Sequence, residues 1–323
     1  MFFSLFKSLF QILKTQYKKI LIWGFIIWGF FAFGFGSLLG WFLGSKATLT
    51  KFPDIYSTDR ILIISPHTDD EILSSGGLMQ EALAIGAQIK IIYLTNGDNN
   101  YFSVIKENKN LKETPNDFLN LGEKRMEEAN EATSVLGVSS SSLVFLGYPD
   151  NGLKYLLNAN FLTPYTHKAS KLNYNPYSGT YHKKQLYTGI NLFNDLKEII
   201  NQFQPTIIIF PHFRDLNPDH QAAYHFVVNA LEGNDQRIKL FGYLVHYRYY
   251  PLEKGLHLNQ FLYPPARLFT KEGWVSFDLT EEQEKLKLGA LYKNQSQLYF
   301  YPNEGKLLLE SFVKKNEIFE ELN

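Results

Sequence analysis

Hydrophobic positions along the 323-residue chain fall into two patterns. The first is one unbroken run, Leu21 to Gly44, with no charged residue in 24 positions. As a helix it would measure about 36 Å at ~1.5 Å per residue, enough to cross a hydrocarbon core of about 30 Å. Trp23, Trp28 and Trp41 lie mainly towards its ends, where indole rings suit the interface. A soluble core helix would keep a polar stripe. The run is longer than the apolar region of a cleaved signal peptide, and no convincing small-residue cleavage site accompanies it. The pattern therefore predicts one N-terminal transmembrane helix.

The second pattern begins after a short polar linker at 45–57. Short apolar runs alternate with helical periodicity. Ile61–Ser65, Ile89–Leu94, Leu143–Leu146, Thr206–Phe210 and Phe241–His246 read as strands. Helices are predicted from the loop after Ser65 to about Ile85, over Glu123–Leu136, over Leu192–Phe203 and from about Asp219. Near-continuous apolar strands separated by helices predict a mostly parallel sheet covered on both faces, a Rossmann-like three-layer α/β/α fold. The stretch 151–188 has no clear period and is expected to be an irregular loop. Its tyrosines (Tyr165, Tyr174, Tyr177, Tyr187) suit packing or stacking on a sugar ring. Two C-terminal helices are expected, Thr280–Leu291 and Gly305–Leu322. Thr280 and Gln283 would form a capping box at the start of the first.

Charge refines this division into an anchor, residues 1–50, and a body, residues 51–323. Formal charge balances at 32 against 32, yet residues 1–50 hold five lysines and no acid. The body is left with 27 basic and 32 acidic residues, a net charge of −5. A mildly acidic body without a basic stripe argues against a nucleic-acid partner. The lysines before the span outnumber those after it, placing the N-terminus in the cytoplasm and the body outside. Residues 2–13 are expected to lie along the inner interface. Gly36, Gly40 and Gly44 would share one helix face, open to close packing by another helix, though glycine is frequent in membrane helices without such a role. The absence of cysteine excludes disulfides, thiolate metal sites and thiol nucleophiles.

Candidate chemistry sits at two predicted strand ends. Pro66-His67-Thr68-Asp69-Asp70-Glu71 follows the first strand. A second cluster, His212, Asp215, Asn217, Asp219 and His220, follows Thr206–Phe210. Sites in parallel sheets form at the carboxyl ends of strands. Each cluster alone reads as helix-capping acids and a hydrogen-bonded histidine. Together they would let His67, Asp70 and His220 hold one divalent cation, with a fourth position open to water, as catalytic zinc prefers.

These motifs resemble the PIG-L/LmbE-like zinc N-deacetylases, which include the GlcNAc-phosphatidylinositol de-N-acetylases and the deacetylases of mycothiol and bacillithiol synthesis. The matching segments are Pro66–Glu71 and Asn217-Pro218-Asp219-His220. Softer matches are Gly76-Gly77, Tyr93–Asp98, Arg125 with Glu128, Leu136–Val138, Phe145–Leu153 and Ser296-Gln297. The likeness spans roughly residues 58–300 and implies a deacetylase domain over the body. It implies zinc on His67, Asp70 and His220, with Asp69 as the general base. Asp219 would orient a site group or the third ligand. Asp98 and Arg125 would bind substrate or brace the site, and His246 would border it. The family usually has histidine at the position of Asn217. Asparagine can donate to a developing oxyanion but cannot titrate, so Asp69 would carry the proton transfer alone or His212 would assist. The expected activity is removal of acetyl from an N-acetylglucosamine-type sugar on a glycolipid, lipid-linked or envelope glycan. Alternatives are a zinc amidase acting on a sugar–thiol conjugate or other amide, and a non-catalytic carbohydrate-binding protein.

Overall fold

The computed structural model describes residues 17–19, 22–24, 27–28, 49–108, 112–233, 237–268, 273–298 and 304–322. Most of the predicted span 21–44 lies outside them, as do Gly36, Gly40 and Gly44. Residues 22–24 and 27–28 are helical and exposed. Among the described residues, no helix is long and apolar enough to cross a membrane.

Among the described residues the body is built on eight strands: β1 (Thr50–Lys51), β2 (Arg60–Ser65), β3 (Gln88–Thr95), β4 (Leu143–Tyr148), β5 (Ile207–Pro211), β6 (Lys239–Tyr243), β7 (Trp274–Asp278) and β8 (Asn316–Leu322). They form one sheet in the order β1-β7-β8-β6-β5-β2-β3-β4. Every pairing is parallel except the two made by β8. The helices are α1 (Asp70–Ala84), α2 (Tyr101–Asn108), α3 (Pro115–Val135), α4 (Leu153–Leu157), α5 (Gly189–Phe203), α6 (Pro218–Leu231), α7 (Glu281–Leu291) and α8 (Glu304–Glu310).

Strand alternation splits the core in two. Ile61 and Ile63 of β2 join Ile89, Ile91, Ile207 and Ile209 beneath apolar residues of α1, α3 and α7. Leu62 and Ile64 join Ile92, Leu94, Ile208 and Phe210 on the other face, beneath α4, α5 and α6. The three-layer α/β/α prediction therefore holds for the body. Strand order runs β2-β3-β4 in one direction and β2-β5-β6 in the other. The switch lies between β2 and β5, where ligands bind in such sheets. Both motif loops leave from these two strands.

Three segments differ from expectation. The predicted helix Gly305–Leu322 is helical only over Glu304–Glu310, and Asn316–Leu322 is a strand between β6 and β7. Its Glu- and Leu-rich sequence favours helix, but burial of Ile318 and Phe319 against both neighbours overrides that preference. The linker at 45–57 contributes β1. The stretch 151–188 begins with α4 and is otherwise irregular, yet packed: Tyr165, Tyr177, Tyr187, His167 and Asn175 are buried. Those three tyrosines are packing residues rather than exposed sugar platforms.

Candidate metal centre

The loop after β2 is folded by its own short polar side chains. Ser65 Oγ donates to the His67 carbonyl at 2.6 Å. Glu71 is buried, and its carboxylate accepts from Asp69 N at 3.0 Å. Thr95 at the end of β3 donates through Oγ1 to the Pro66 carbonyl at 2.9 Å. Asp70 Oδ2 accepts from His67 N at 3.0 Å, pulling that carboxylate beneath the imidazole. Across the switch point, Asn217 caps α6: its Oδ1 accepts from Asp219 N at 2.8 Å. Pro218 occupies the first turn, so the helix starts sharply and His220 is carried on it.

The two loops converge. His67 Nδ1 lies 3.3 Å from Asp70 Oδ2 and His220 Nε2 lies 3.2 Å from the same oxygen. The two ring nitrogens are 3.4 Å apart. Ligands about 2.0–2.1 Å from a shared tetrahedral ion stand about 3.3 Å from one another, so the triangle has the size such an ion requires. Asp70 and His220 are sealed from solvent, whereas His67 and Asp69 keep slight exposure and form the accessible side.

The outer partners continue the pattern of a histidine metal site, in which the distal ring nitrogen faces a carboxylate. His67 Nε2 is 3.3 Å from Asp150 Oδ1 and 3.6 Å from Asp219 Oδ2. His220 Nδ1 is 3.2 Å from Asp215 Oδ2, an ion contact without hydrogen-bond alignment. Asp215 is fixed by backbone donors from Asn217, Val245 and His246, at 2.9, 3.0 and 2.9 Å. Asp219 accepts from Asn151 N at 2.6 Å and Leu153 N at 3.1 Å, joining the loop after β4 to α6.

Asp69 is held from the far side by Arg125 of α3. The guanidinium donates to Thr68 Oγ1 and to the Thr68 and Gly97 carbonyls, each at 2.9 Å, and meets Asp69 Oδ2 at 3.3 Å. Gly97 has φ of +62°, and a Cβ there would stand 2.1 Å from Arg125 Nη1. Only glycine lets the arginine in. Burial pushes the Asp69 carboxyl up to about 6, against the pull of Arg125.

Other expected site residues fall differently. Asp98 is buried and accepts from the Tyr177 hydroxyl at 2.7 Å. Arg125 is spent on Asp69 and the loops, so it braces the site. His212 is turned away: it stacks between Phe213 and Trp274, accepts from Arg214 N and donates to Glu320. Committed there, it is not positioned to assist Asp69. His246 is half-buried, packs edge-on against His220, and offers a nitrogen within 4.8 Å of the donors from His67, Asp70 and His220. Asp150 was not among the expected residues, although Pro149-Asp150 follows a predicted strand end as His67 does.

The family model for PIG-L, GlcNAc-PI de-N-acetylase, matches residues 62–231. The chain belongs to this family. It is a hydrolase of linear amides, an N-deacetylase, and its His67, Asp70 and His220 donors fit one zinc ion. Similar solved structures include the zinc-inhibited form of teicoplanin deacetylase Orf2, 14% identical over 81% of this chain and 97% of that one, TM-score 0.52. A40926 pseudoaglycone deacetylase Dbv21 is 17% identical over 81% and 96%, TM-score 0.50. The 4-carboxy-2-hydroxymuconate hydratase GalB of Pseudomonas putida is 14% identical over 82% and 97%, TM-score 0.52. At such identities the likeness concerns the fold, which in GalB belongs to a hydratase. Comparison with curated proteins found no match.

Proposed function

We propose that this PIG-L family member deacetylates an N-acetylglucosamine-type sugar carried on a glycolipid, lipid-linked or envelope glycan. Residues 21–44 tether it to the membrane, with the N-terminus cytoplasmic and the body outside. The observation that carries the reading is the triangle of His67 Nδ1, Asp70 Oδ2 and His220 Nε2, with Asp69 on its accessible side.

A bound zinc ion supplies Lewis-acid polarisation of the acetyl carbonyl and lowers the pKa of water towards ~7. His67, Asp70 and His220 hold it. Asp150 and Asp219 fix the His67 ring, and Asp215 fixes His220. The Asp69 carboxylate takes a proton from the attacking water as oxygen adds to the acetyl carbon. It returns that proton to the sugar nitrogen as the C–N bond breaks, giving the amine and acetic acid, whose remaining proton passes to the amine to leave acetate and an ammonium. In the metal-free protein burial holds Asp69 above the ordinary carboxylate range, and a cation on the neighbouring ligands would favour the ionised form that a general base needs. Arg125 keeps the carboxylate aimed. The Asn217 oxygen caps α6, so its amide nitrogen is the end left to donate to the developing oxyanion.

Substitution Asp69→Ala, assayed by acetate release with zinc content measured in parallel, tests the assignment. Zinc retained with turnover lost by ~100-fold or more supports it; unchanged turnover refutes it. A panel of N-acyl glucosamine derivatives, free and lipid-linked, separates acetyl from other amides. Protease digestion of intact cells or spheroplasts tests the orientation, because protection of the body would reverse it.

A further inference from the structure

The loops beside His220 present a surface that the chemistry of the centre does not use. Asp215 binds the backbone of Val245 and His246, and Leu216 N donates to the His246 carbonyl at 2.7 Å. These bonds stitch the loop after β5 to the loop after β6. The side chains flanking them are apolar and face solvent: Phe213 is 40% exposed, Leu216 55%, Tyr249 58% and Leu252 43%. Two exposed arginines lie over the rings, Arg214 at 5.1 Å from the Phe213 centroid and Arg248 at 4.9 Å from Tyr249. Along 245–268 the cations Arg248, Lys254 and Arg267 meet one acid, Glu253, in a body whose net charge is −5.

The first described residues of the body, from Leu49 onward, also meet the 245–268 segment. Leu49 and Lys51 line one cavity with Phe261 and Tyr263, which belong to the 245–268 segment. Phe210, Gly242, Glu320 and Trp274 are in register across four strands, and Thr50 pairs with Val275, one step beyond. The chain therefore joins the sheet near its carboxyl edge, the edge that carries the metal centre.

We propose that this face docks on an anionic phospholipid surface and holds the mouth of the centre against the bilayer. The inference rests on the membrane-tethered reading above and deepens it. Leucine and tyrosine side chains enter the headgroup layer, while the guanidiniums stay at the level of the phosphates and pair with them. The tether delivers the face, and the face orients the centre towards a substrate whose lipid is in the membrane.

The chain contains no cysteine, so a single introduced one reports its own position. The full chain, zinc-loaded, is reconstituted in vesicles of phosphatidylcholine with or without phosphatidylglycerol. An environment-sensitive fluorophore is placed at Leu252→Cys or Tyr249→Cys, and at Lys197→Cys on exposed α5 as control. On phosphatidylglycerol vesicles, the labels at 252 and 249 are expected to be shielded from aqueous iodide and quenched by lipid-borne nitroxide, unlike the label at 197. Arg214→Glu with Arg248→Glu is expected to lower the docked fraction roughly tenfold or more. Equal exposure of all three labels overturns the proposal. So does shielding that ignores phosphatidylglycerol and the arginines, or a chain that fails to associate with vesicles. Acetate release from a soluble N-acetyl sugar tests the deacetylase chemistry separately, so the two readings fail by different measurements.

Discussion

Lys287 Nζ lies 2.6 Å from Glu317 Oε1, and neither side chain reaches solvent. The pair occupies a break in α1. Ser75 leaves helical geometry with φ of −137°, so Gly77 N loses the Leu73 carbonyl that a regular helix would offer it. Glu317 accepts from Gly77 N at 2.7 Å and Leu78 N at 2.9 Å, while Lys287 donates to the freed Leu73 carbonyl at 2.9 Å. One residue from α7 and one from β8 thus repair the helix that begins with Asp70. A Cβ on Gly77 would stand 2.5 Å from Leu279, so the break also needs its glycine.

Lys287→Met is expected to destabilise the body by about 3–5 kcal/mol, because it strands the Glu317 carboxylate in the interior. Lys287→Met with Glu317→Gln should recover much of that loss. Chemical unfolding of the full chain in detergent checks both. Equal stability of the single and double variants would show that the pair is not coupled.

Arg125→Met should leave zinc bound and lower kcat by roughly 10–100-fold, since Asp69 loses its brace. It should also move the acidic limb of the pH–rate profile upward. The guanidinium favours the charged form of Asp69, so without it the base stays protonated to a higher pH. Arg125→Lys keeps the charge and should restore the limb better than kcat. An unmoved limb in Arg125→Met would assign the arginine to folding alone.

How much of this was legible in the sequence differs by element. Ile61–Ser65 and Thr206–Phe210 are short, isoleucine-rich runs bounded by Pro66 and by Pro205 and Pro211, which favours buried strands, so the strand-end position of both motifs follows from pattern alone. Thr280 and Gln283 form the expected capping box, because that signal is local. β8 is not local: its partners lie far away in sequence, and nothing within Asn316–Leu322 announces them. Asp150 escaped for a related reason. A lone acid after a strand acquires meaning only when β4 sets it 3.3 Å from His67 Nε2. His212 shows the converse, a histidine in the right motif whose ring is turned towards Glu320.

Asp215→Asn is expected to weaken zinc binding by about 10–100-fold, because the carboxylate that faces His220 Nδ1 becomes neutral. The asparagine oxygen can still accept from Val245 and His246, so the loops should hold. Competition with a chromophoric chelator gives the affinity, and circular dichroism checks the fold. Loss of fold with affinity would reassign Asp215 to a structural role.

Zinc binding at pH 7 should release about two protons. Burial alone would lower both imidazole pKa values, but the surrounding carboxylates outweigh it. Asp150, Asp219 and Asp70 hold His67 well above its usual value, and Asp215 and Asp70 push His220 up to about 10. Both rings are therefore protonated at neutral pH in the metal-free protein, and each must become neutral to ligate. Because protons compete for the same nitrogens, affinity should fall as pH falls below the metal-free His220 value. Between pH 7 and 6 the loss should approach 100-fold for two released protons. A pH indicator in weakly buffered solution counts the protons, and zinc titrations at the two pH values give the slope. Release of none, with a flat slope, would mean that the rings are already neutral and that the carboxylates do not govern them.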